Sequence, residues 1–82
     1  MADPRFTIRF RRARRPDRLT VVLEDEGGAP YIFSRRGRRF RLTRLSMGEG
    51  SLRGLTGHGW QRVPAVAPYS LVELRHLLAY SA

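Results

Sequence analysis

Arginine is the residue whose chemistry stands out in this chain. All sixteen basic residues are arginine, and with seven acids they give a formal net charge of +9. A guanidinium donates two parallel hydrogen bonds to a phosphate, and a field of this sign attracts polyanions. GC-rich codon usage explains the absence of lysine, but it does not explain the excess of arginine over acid. The composition therefore favours a polyanionic partner.

The arginines are concentrated in two segments. Residues 11–18 read Arg-Arg-Ala-Arg-Arg-Pro-Asp-Arg, and residues 35–44 hold six arginines and no acid. An acidic segment, residues 24–26, separates them, and its three carboxylates are too few to neutralise both. The candidate nucleic-acid-binding residues are Arg11, Arg12, Arg14, Arg15, Arg18, Arg35, Arg36, Arg38, Arg39, Arg41 and Arg44.

Each basic segment has a functional and a neutral interpretation. A flexible arginine-rich loop can follow a phosphate backbone, and a two-stranded ribbon is narrow enough for a major groove. The neutral alternatives are a solvated or membrane-surface loop, and hairpin arginines that face water or pair with Glu49 and the acids of residues 24–26. No acyl site or apolar anchor accompanies the loop, so we expect no membrane contact.

Other chemistry is weakly represented. His58 and His76 have no metal-ligand spacing, there is no cysteine, and residues 24–28 lack the ligand pattern of a calcium loop, so we expect no metal and no cofactor. A small basic RNase with His58 as base and Glu49 or Arg62 nearby is the enzymatic alternative, but nothing in the sequence fixes that geometry. We therefore expect a protein that is not an enzyme.

Alternating apolar and polar residues predict strands at about 5–11, 18–24, 30–35 and 38–45. Three turns set their expected pairing: a long loop at 11–18, a three-residue loop at 26–28 and a two-residue loop at Arg36–Gly37. The resulting opposite pairs place the large apolar residues on one face. The pairs are Phe10–Leu19, Ile8–Val21, Leu23–Tyr31, Val21–Phe33, Phe33–Phe40 and Tyr31–Leu42.

The remaining chain predicts loops and a helix. Five glycines in residues 46–59 indicate loops, with at most a short strand around Leu52, and residues 60–66 are a possible fifth strand. Trp60 is either a stacking platform or, the preferred interpretation, a core residue. Ser70 and Glu73 form a capping-box pattern ahead of a helix at about 70–80. Its apolar stripe consists of Leu71, Leu74, Leu77 and Leu78.

These elements predict a single basic domain over residues 1–82, of class α+β. It is a small antiparallel β-meander of four or five strands with a C-terminal α-helix packed on it. In strand count and length it resembles small SH3-like or Sm-like barrels, an analogy of architecture without a family signature. The chain shows neither a secretory signal nor a membrane-spanning run, so we expect a cytoplasmic protein. The oligomeric state is open.

The expected function is non-enzymatic nucleic-acid binding through the arginine-rich loop and the arginine-rich hairpin. RNA is slightly favoured over DNA, because arginine-rich loops suit irregular grooves. The alternative is a small subunit or inhibitor that docks on an acidic protein surface, such as a polymerase, a nuclease or a larger assembly.

Overall fold

A computed structural model describes residues 3–12, 18–46, 51–64 and 68–79. It confirms an antiparallel meander with a C-terminal helix packed on it. The elements in chain order are β1 (Arg5–Arg12), β2 (Arg18–Asp25), β3 (Pro30–Arg36), β4 (Arg39–Arg44), a 3-10 helix (Ser51–His58), β5 (Trp60–Arg62), β6 (Tyr69–Ser70) and α1 (Leu71–Ala79).

The described strands form one open, antiparallel sheet. Its order is β4-β3-β2-β1-β5, and β6 pairs with β1 as well. β5 pairs with the end of β1, from Phe10 to Arg12, and β6 pairs with the start of β1 through two residue pairs. Because β4 and β5 lie at opposite ends of this order, the described strands do not close into a barrel.

The β2–β3 pairing agrees with the sequence prediction, whereas the β3–β4 pairing differs from it. Leu23 lies opposite Tyr31, as expected for a three-residue loop. In the second hairpin Phe33 lies opposite Leu42, so the expected partner Phe40 is wrong. Arg36 pairs with Arg39, which makes Gly37–Arg38 the two-residue loop. Gly37 has a φ of 62°, and none of the described residues other than glycine has a positive φ, so Arg38 does not, as in a type II′ turn.

The predicted β1–β2 pairing is wrong, because β1 contains a bulge. Ile8 lies opposite Leu23, Phe10 lies opposite Val22, and the pairing shifts by one residue between Ile8 and Phe10. An extra residue in one strand reverses the side on which the following side chains lie. The bulge therefore turns Phe10 to the face opposite that of Ile8.

The sheet has a core on both faces, so the expectation of a single apolar face is also wrong. A first core lies between the sheet and α1, and a second lies on the other face. Val22 is fully buried in the second core, while its neighbours Val21 and Leu23 are buried in the first. The first core consists of Phe6, Leu19, Val21, Leu23, Phe33, Leu74 and Leu78. The second consists of Phe10, Val22 and Trp60.

The 3-10 helix covers the second core, where loops were expected from the glycines. Leu52 and Leu55, three residues apart, both pack against this core, as the three-residue repeat of a 3-10 helix allows. Trp60 is 8% exposed and is a core residue. Its strand, β5, ends at Arg62, four residues before the end of the expected strand.

Helix α1 begins with the predicted capping box. The Ser70 hydroxyl accepts a hydrogen bond from the Glu73 amide at 3.3 Å, and the Glu73 carboxylate accepts one from the Ser70 amide at 3.4 Å. Leu74 and Leu78 are buried, whereas Leu77 is 43% exposed, so the apolar stripe is narrower than predicted. Burying two leucines contributes about 1.5 to 3 kcal/mol each before chain entropy is counted.

Candidate functional site

The two arginine-rich segments meet at one end of the sheet, which we call the basic end. Antiparallel pairing brings together the end of β1 at Arg12, the start of β2 at Arg18, the end of β3 at Arg36 and the start of β4 at Arg39. Arg18 lies opposite Arg36, and Arg36 lies opposite Arg39. The basic end therefore receives both segments, although they are separated in sequence by an acidic one.

Two predicted contact residues, Arg14 and Arg15, lie outside the described residues. The described residues that flank them, Arg12 and Arg18, both lie at the basic end. The side chain of Arg18 also lies outside the description, whereas its backbone pairing with Arg36 is described.

The acidic segment lies at the opposite end of β2, in the β2–β3 turn. The Asp25 carboxylate accepts hydrogen bonds from the amides of Gly27 at 3.0 Å and Ala29 at 2.8 Å, and from the Tyr31 hydroxyl at 3.2 Å. The Ala29 amide is the main cause of a lowered pKa of Asp25, and the nearby charge of Arg44 adds to it. This carboxylate is therefore engaged by its own turn.

Within the described ranges, the acids do not neutralise the basic end. The salt bridge found among the described residues joins Arg5 to Glu73 at 3.1 Å, between the start of β1 and α1. The expected alternative, in which hairpin arginines pair with residues 24–26, is not observed among these residues. Glu49, the other acid in that alternative, is not among the described residues.

Four hairpin arginines present their guanidinium groups to solvent. Arg36, Arg38, Arg39 and Arg41 are exposed, and none makes a side-chain hydrogen bond or ion pair with another described residue. Arg35 differs, because it is half-buried and its Nη1 donates to the Gly37 carbonyl at 3.0 Å. Arg35 therefore braces the turn that carries its neighbours.

The sheet faces divide the arginines further. Side chains alternate between faces along a strand, and Phe33 and Val21 lie in the core beneath α1. Arg35 lies two residues after Phe33, so its side chain is on the sheet face that α1 covers. Arg11 is on the same face, because it lies opposite Val21. The residues on the opposite face are Arg12, Thr20, Ser34, Arg36, Arg39 and Arg41. The hydroxyls of Thr20 and Ser34 were missed from the sequence, although strand alternation places them beside these arginines.

Arg12 is held in place by an aromatic ring, whereas Arg44 lies away from the basic end. The guanidinium of Arg12 lies 5.3 Å from the centre of the Trp60 ring. This contact covers the buried indole, so the ring is not a free stacking platform. Arg44 lies opposite Tyr31, near Asp25 and the acidic turn. The structure therefore does not bring Arg44 together with the other predicted contact residues.

The arginine-rich hairpin is not a free-standing ribbon. β2 pairs with β3 from Arg18–Arg36 to Glu24–Pro30, so the ribbon is one border of a wider sheet. The turn Gly37–Arg38 alone lies beyond the last β2–β3 pair. A multi-stranded surface bears the guanidinium groups, in place of the narrow arm expected from the sequence.

The described residues show no arrangement for a metal ion or a membrane span. No three His, Cys, Asp or Glu residues among them are grouped as ion ligands. None of their helices is both long and apolar enough to cross a bilayer. The side chain of His58 and all of Glu49, which the RNase alternative needs, lie outside the description.

The chain matches no protein-family model, no curated protein and no solved structure.

Proposed function

We propose that this chain is a non-enzymatic nucleic-acid-binding module whose basic end contacts the phosphate backbone. The observation that carries the proposal is the meeting of both arginine-rich segments at one end of the sheet, away from the acidic turn. Its contact residues in the hairpin are Arg36, Arg38, Arg39 and Arg41, and on the loop side Arg12, Arg14, Arg15 and Arg18.

The cross-strand pairing supports a bound anion. Arg18 lies opposite Arg36, and Arg36 lies opposite Arg39. Like charges directly opposite each other in a sheet are destabilising. A polyanion bound over these three arginines attracts each of them and offsets their mutual repulsion. If the arginines served only the fold, that repulsion would have no compensation.

The proposed contact is made by guanidinium groups that donate paired hydrogen bonds to phosphate oxygens. Each neutralised phosphate releases condensed counterions, so affinity depends on salt and little on base sequence. Arg35 has a positioning role, because its hydrogen bond to Gly37 holds the turn between Arg36 and Arg39. RNA is slightly favoured over DNA as the ligand.

The test is a fluorescence anisotropy titration of the whole chain with labelled RNA and DNA duplexes between about 50 and 200 mM salt. Log affinity should fall linearly with log salt, by about 0.9 per phosphate neutralised on B-DNA. Undetectable binding at the lowest salt would contradict the proposal. Docking on an acidic protein surface would then be the remaining explanation of the charge.

Two variants rank the segments against each other. One replaces Arg36, Arg38 and Arg39 with glutamine, and the other replaces Arg12, Arg14 and Arg15 in the same way. Each removes three charges while keeping side-chain length and polarity similar. We expect both to reduce the salt slope, the hairpin variant by up to about three units on B-DNA. A hairpin variant that binds like the parent would place the contact on the loop alone.

A further inference from the structure

We infer that the ligand is an A-form duplex, bound through its shallow minor groove at the basic end of the sheet face opposite α1, beside the second core that the 3-10 helix covers. This inference rests on the proposed function and specifies its substrate class. The surface concerned, which we call the basic face, consists of Arg12, Thr20, Ser34, Arg36, Arg39 and Arg41.

The basic face contains a row of residues with cations at its two ends and hydroxyls between them. Thr20 lies opposite Ser34, and Ser34 lies opposite Arg41. Arg11 pairs with Val21, and the same register places Arg12 beside Thr20. The row therefore runs Arg12, Thr20, Ser34, Arg41 across four strands.

The width of this row matches the spacing of the two phosphate backbones on either side of a duplex groove. Neighbouring strands are about 4.8 Å apart, so the backbones of Arg12 and Arg41 are separated by about 14 Å. A separation of this size, with a long arginine side chain at each end, lets the two guanidinium groups reach the two phosphate backbones that flank one groove. A single strand would engage one end of the row and leave the other unpaired.

The short side chains in the middle of the row determine the kind of groove. Thr20 and Ser34 are half-buried and make no side-chain hydrogen bond with another described residue. From the strand backbone, hydroxyls this short reach the floor of a wide and shallow groove, but not that of the B-DNA minor groove, which is about 6 Å wide and 7.5 Å deep. The A-form minor groove is wide and shallow, and it displays 2′-hydroxyls that both donate and accept hydrogen bonds.

The aromatic rings of the described residues pack in or against the two cores. Phe10 and Trp60 belong to the second core, and Phe6 and Phe33 belong to the first. Tyr31, Phe40 and Tyr69 pack against that first core. The basic face therefore presents cations and hydroxyls, which are suited to phosphate backbones and sugars, whereas unpaired bases are bound by stacking on exposed rings.

The experiment compares RNA duplex, DNA duplex and single-stranded RNA of equal length and matched sequence at one salt concentration. We expect the whole chain to bind the RNA duplex at least about fivefold more tightly than either other ligand, the size of one or two hydrogen bonds. The double variant Thr20→Val, Ser34→Ala should bring the two duplex affinities close together. It should lower the DNA duplex affinity less than the RNA duplex affinity, because both substitutions keep the charge and DNA lacks the 2′-hydroxyl.

A matched pair of single variants tests the face without altering the hydroxyls. Arg41 and Arg44 are exposed residues of the same edge strand, and they lie on opposite faces. Arg41→Gln should weaken RNA duplex binding about eightfold at 0.1 M salt if one phosphate contact is lost, while Arg44→Gln should have less than a twofold effect. Circular dichroism and thermal denaturation establish that each variant is folded.

The outcomes separate this inference from the proposed function. Equal affinity for the two duplexes, tighter binding of single-stranded RNA, or an unchanged RNA preference in the hydroxyl variant would overturn the A-form assignment and leave nucleic-acid binding intact. Equal effects of Arg41→Gln and Arg44→Gln would overturn the choice of face. No binding of any of the three ligands at low salt would contradict the proposed function itself.

Discussion

The two hairpins that share β3 carry opposite charges and use them differently. In the β2–β3 turn, the Asp25 carboxylate accepts hydrogen bonds from two backbone amides and from the Tyr31 hydroxyl. In the β3–β4 turn, Arg36, Arg38 and Arg39 are exposed and have no hydrogen-bond or ion-pair partner among the described residues. Charge in the first turn stabilises the fold, whereas charge in the second remains available to a ligand.

The backbones of the two turns are more alike than their side chains. Gly28 in the first has a φ of 86°, and Gly37 in the second has a φ of 62°. A residue with a Cβ is strained in this region, so each turn requires a glycine for the same reason. The contrast between the hairpins therefore lies in how their charged groups are satisfied.

The largest expected effect comes from the core that supports both hairpins. Leu74 is fully buried in the cluster that contains Phe33 of β3. Leu74→Ala should lower the free energy of unfolding by about 2 to 5 kcal/mol, measured by chemical denaturation. Val72→Ala is the control, because Val72 is 63% exposed on the same helix. A Leu74→Ala protein as stable as the parent would contradict the packing of α1 on the sheet.

The next effect separates the two turns. Asp25→Ala leaves two turn amides and the Tyr31 hydroxyl without their acceptor, and should lower the free energy of unfolding by about 1 to 2 kcal/mol. Glu26→Ala, at an exposed position of the same turn, should stay within about 0.5 kcal/mol of the parent. If the two variants are equally stable, the acidic turn does not depend on its carboxylate.

The acidic turn should also give stability a pH dependence. The pKa of Asp25 is lowered in the fold, mainly by the Ala29 amide, whereas its unfolded value is about 3.9. Its contribution is therefore complete above about pH 4 and is lost as the pH falls through the lowered folded pKa. Asp25→Asn should flatten the profile of thermal stability below pH 4. Glu73, whose pKa is also lowered, leaves a slope in both proteins. Identical profiles would contradict the prediction.

The smallest effect on stability is expected at the basic turn. Replacing Arg36, Arg38 and Arg39 with glutamine removes three exposed charges that have no described protein partner. The free energy of unfolding should change by less than about 0.5 kcal/mol, or rise, because like-charge repulsion is relieved. A loss of more than 1 kcal/mol in denaturation would show that these arginines serve the fold, as Asp25 does.

The sequence predicts the parts of this fold that depend on local turn chemistry. The loop of residues 26–28 contains two glycines, and the three-residue length predicted for it gives the Leu23–Tyr31 pairing that the structure has. In the second hairpin, Arg36–Gly37 and Gly37–Arg38 are both glycine-containing loops that keep side chains on the same faces. The alternation of side chains therefore does not distinguish the two loops. In the structure the β3–β4 pairing is displaced by two residues from the predicted one.

The bulge and the second core are not predictable in this way. Between Ile8 and Phe10 the alternation of β1 continues without a break, so nothing in the sequence marks the extra residue. Spacing does offer one signal, because Leu52 and Leu55 lie three residues apart, as a 3-10 helix requires. Recognition of that helix would have provided a partner for Val22 on the second face.

For the candidate site, the sequence identifies the arginines but not their arrangement. Composition alone marks both basic segments, whereas strand pairing is needed to bring Arg18 beside Arg36. The separate positions of Arg35, which braces its own turn, and of Arg44, near the acidic turn, also depend on register and face. A list of arginines therefore contains residues with different roles.

We propose that the basic end of the sheet, and not the total charge of the chain, determines nucleic-acid binding. The most direct measurement compares the salt dependence of duplex binding for two variants with equal loss of charge. One carries Arg36→Gln, Arg38→Gln and Arg39→Gln, and the other carries Arg44→Gln, Arg62→Gln and Arg75→Gln, at exposed positions that are not among the proposed contact residues. We expect that on B-DNA the first variant loses up to about three units of salt slope and up to a few hundredfold in affinity at 0.1 M salt, while the second stays close to the parent. Equal losses in both variants would contradict it.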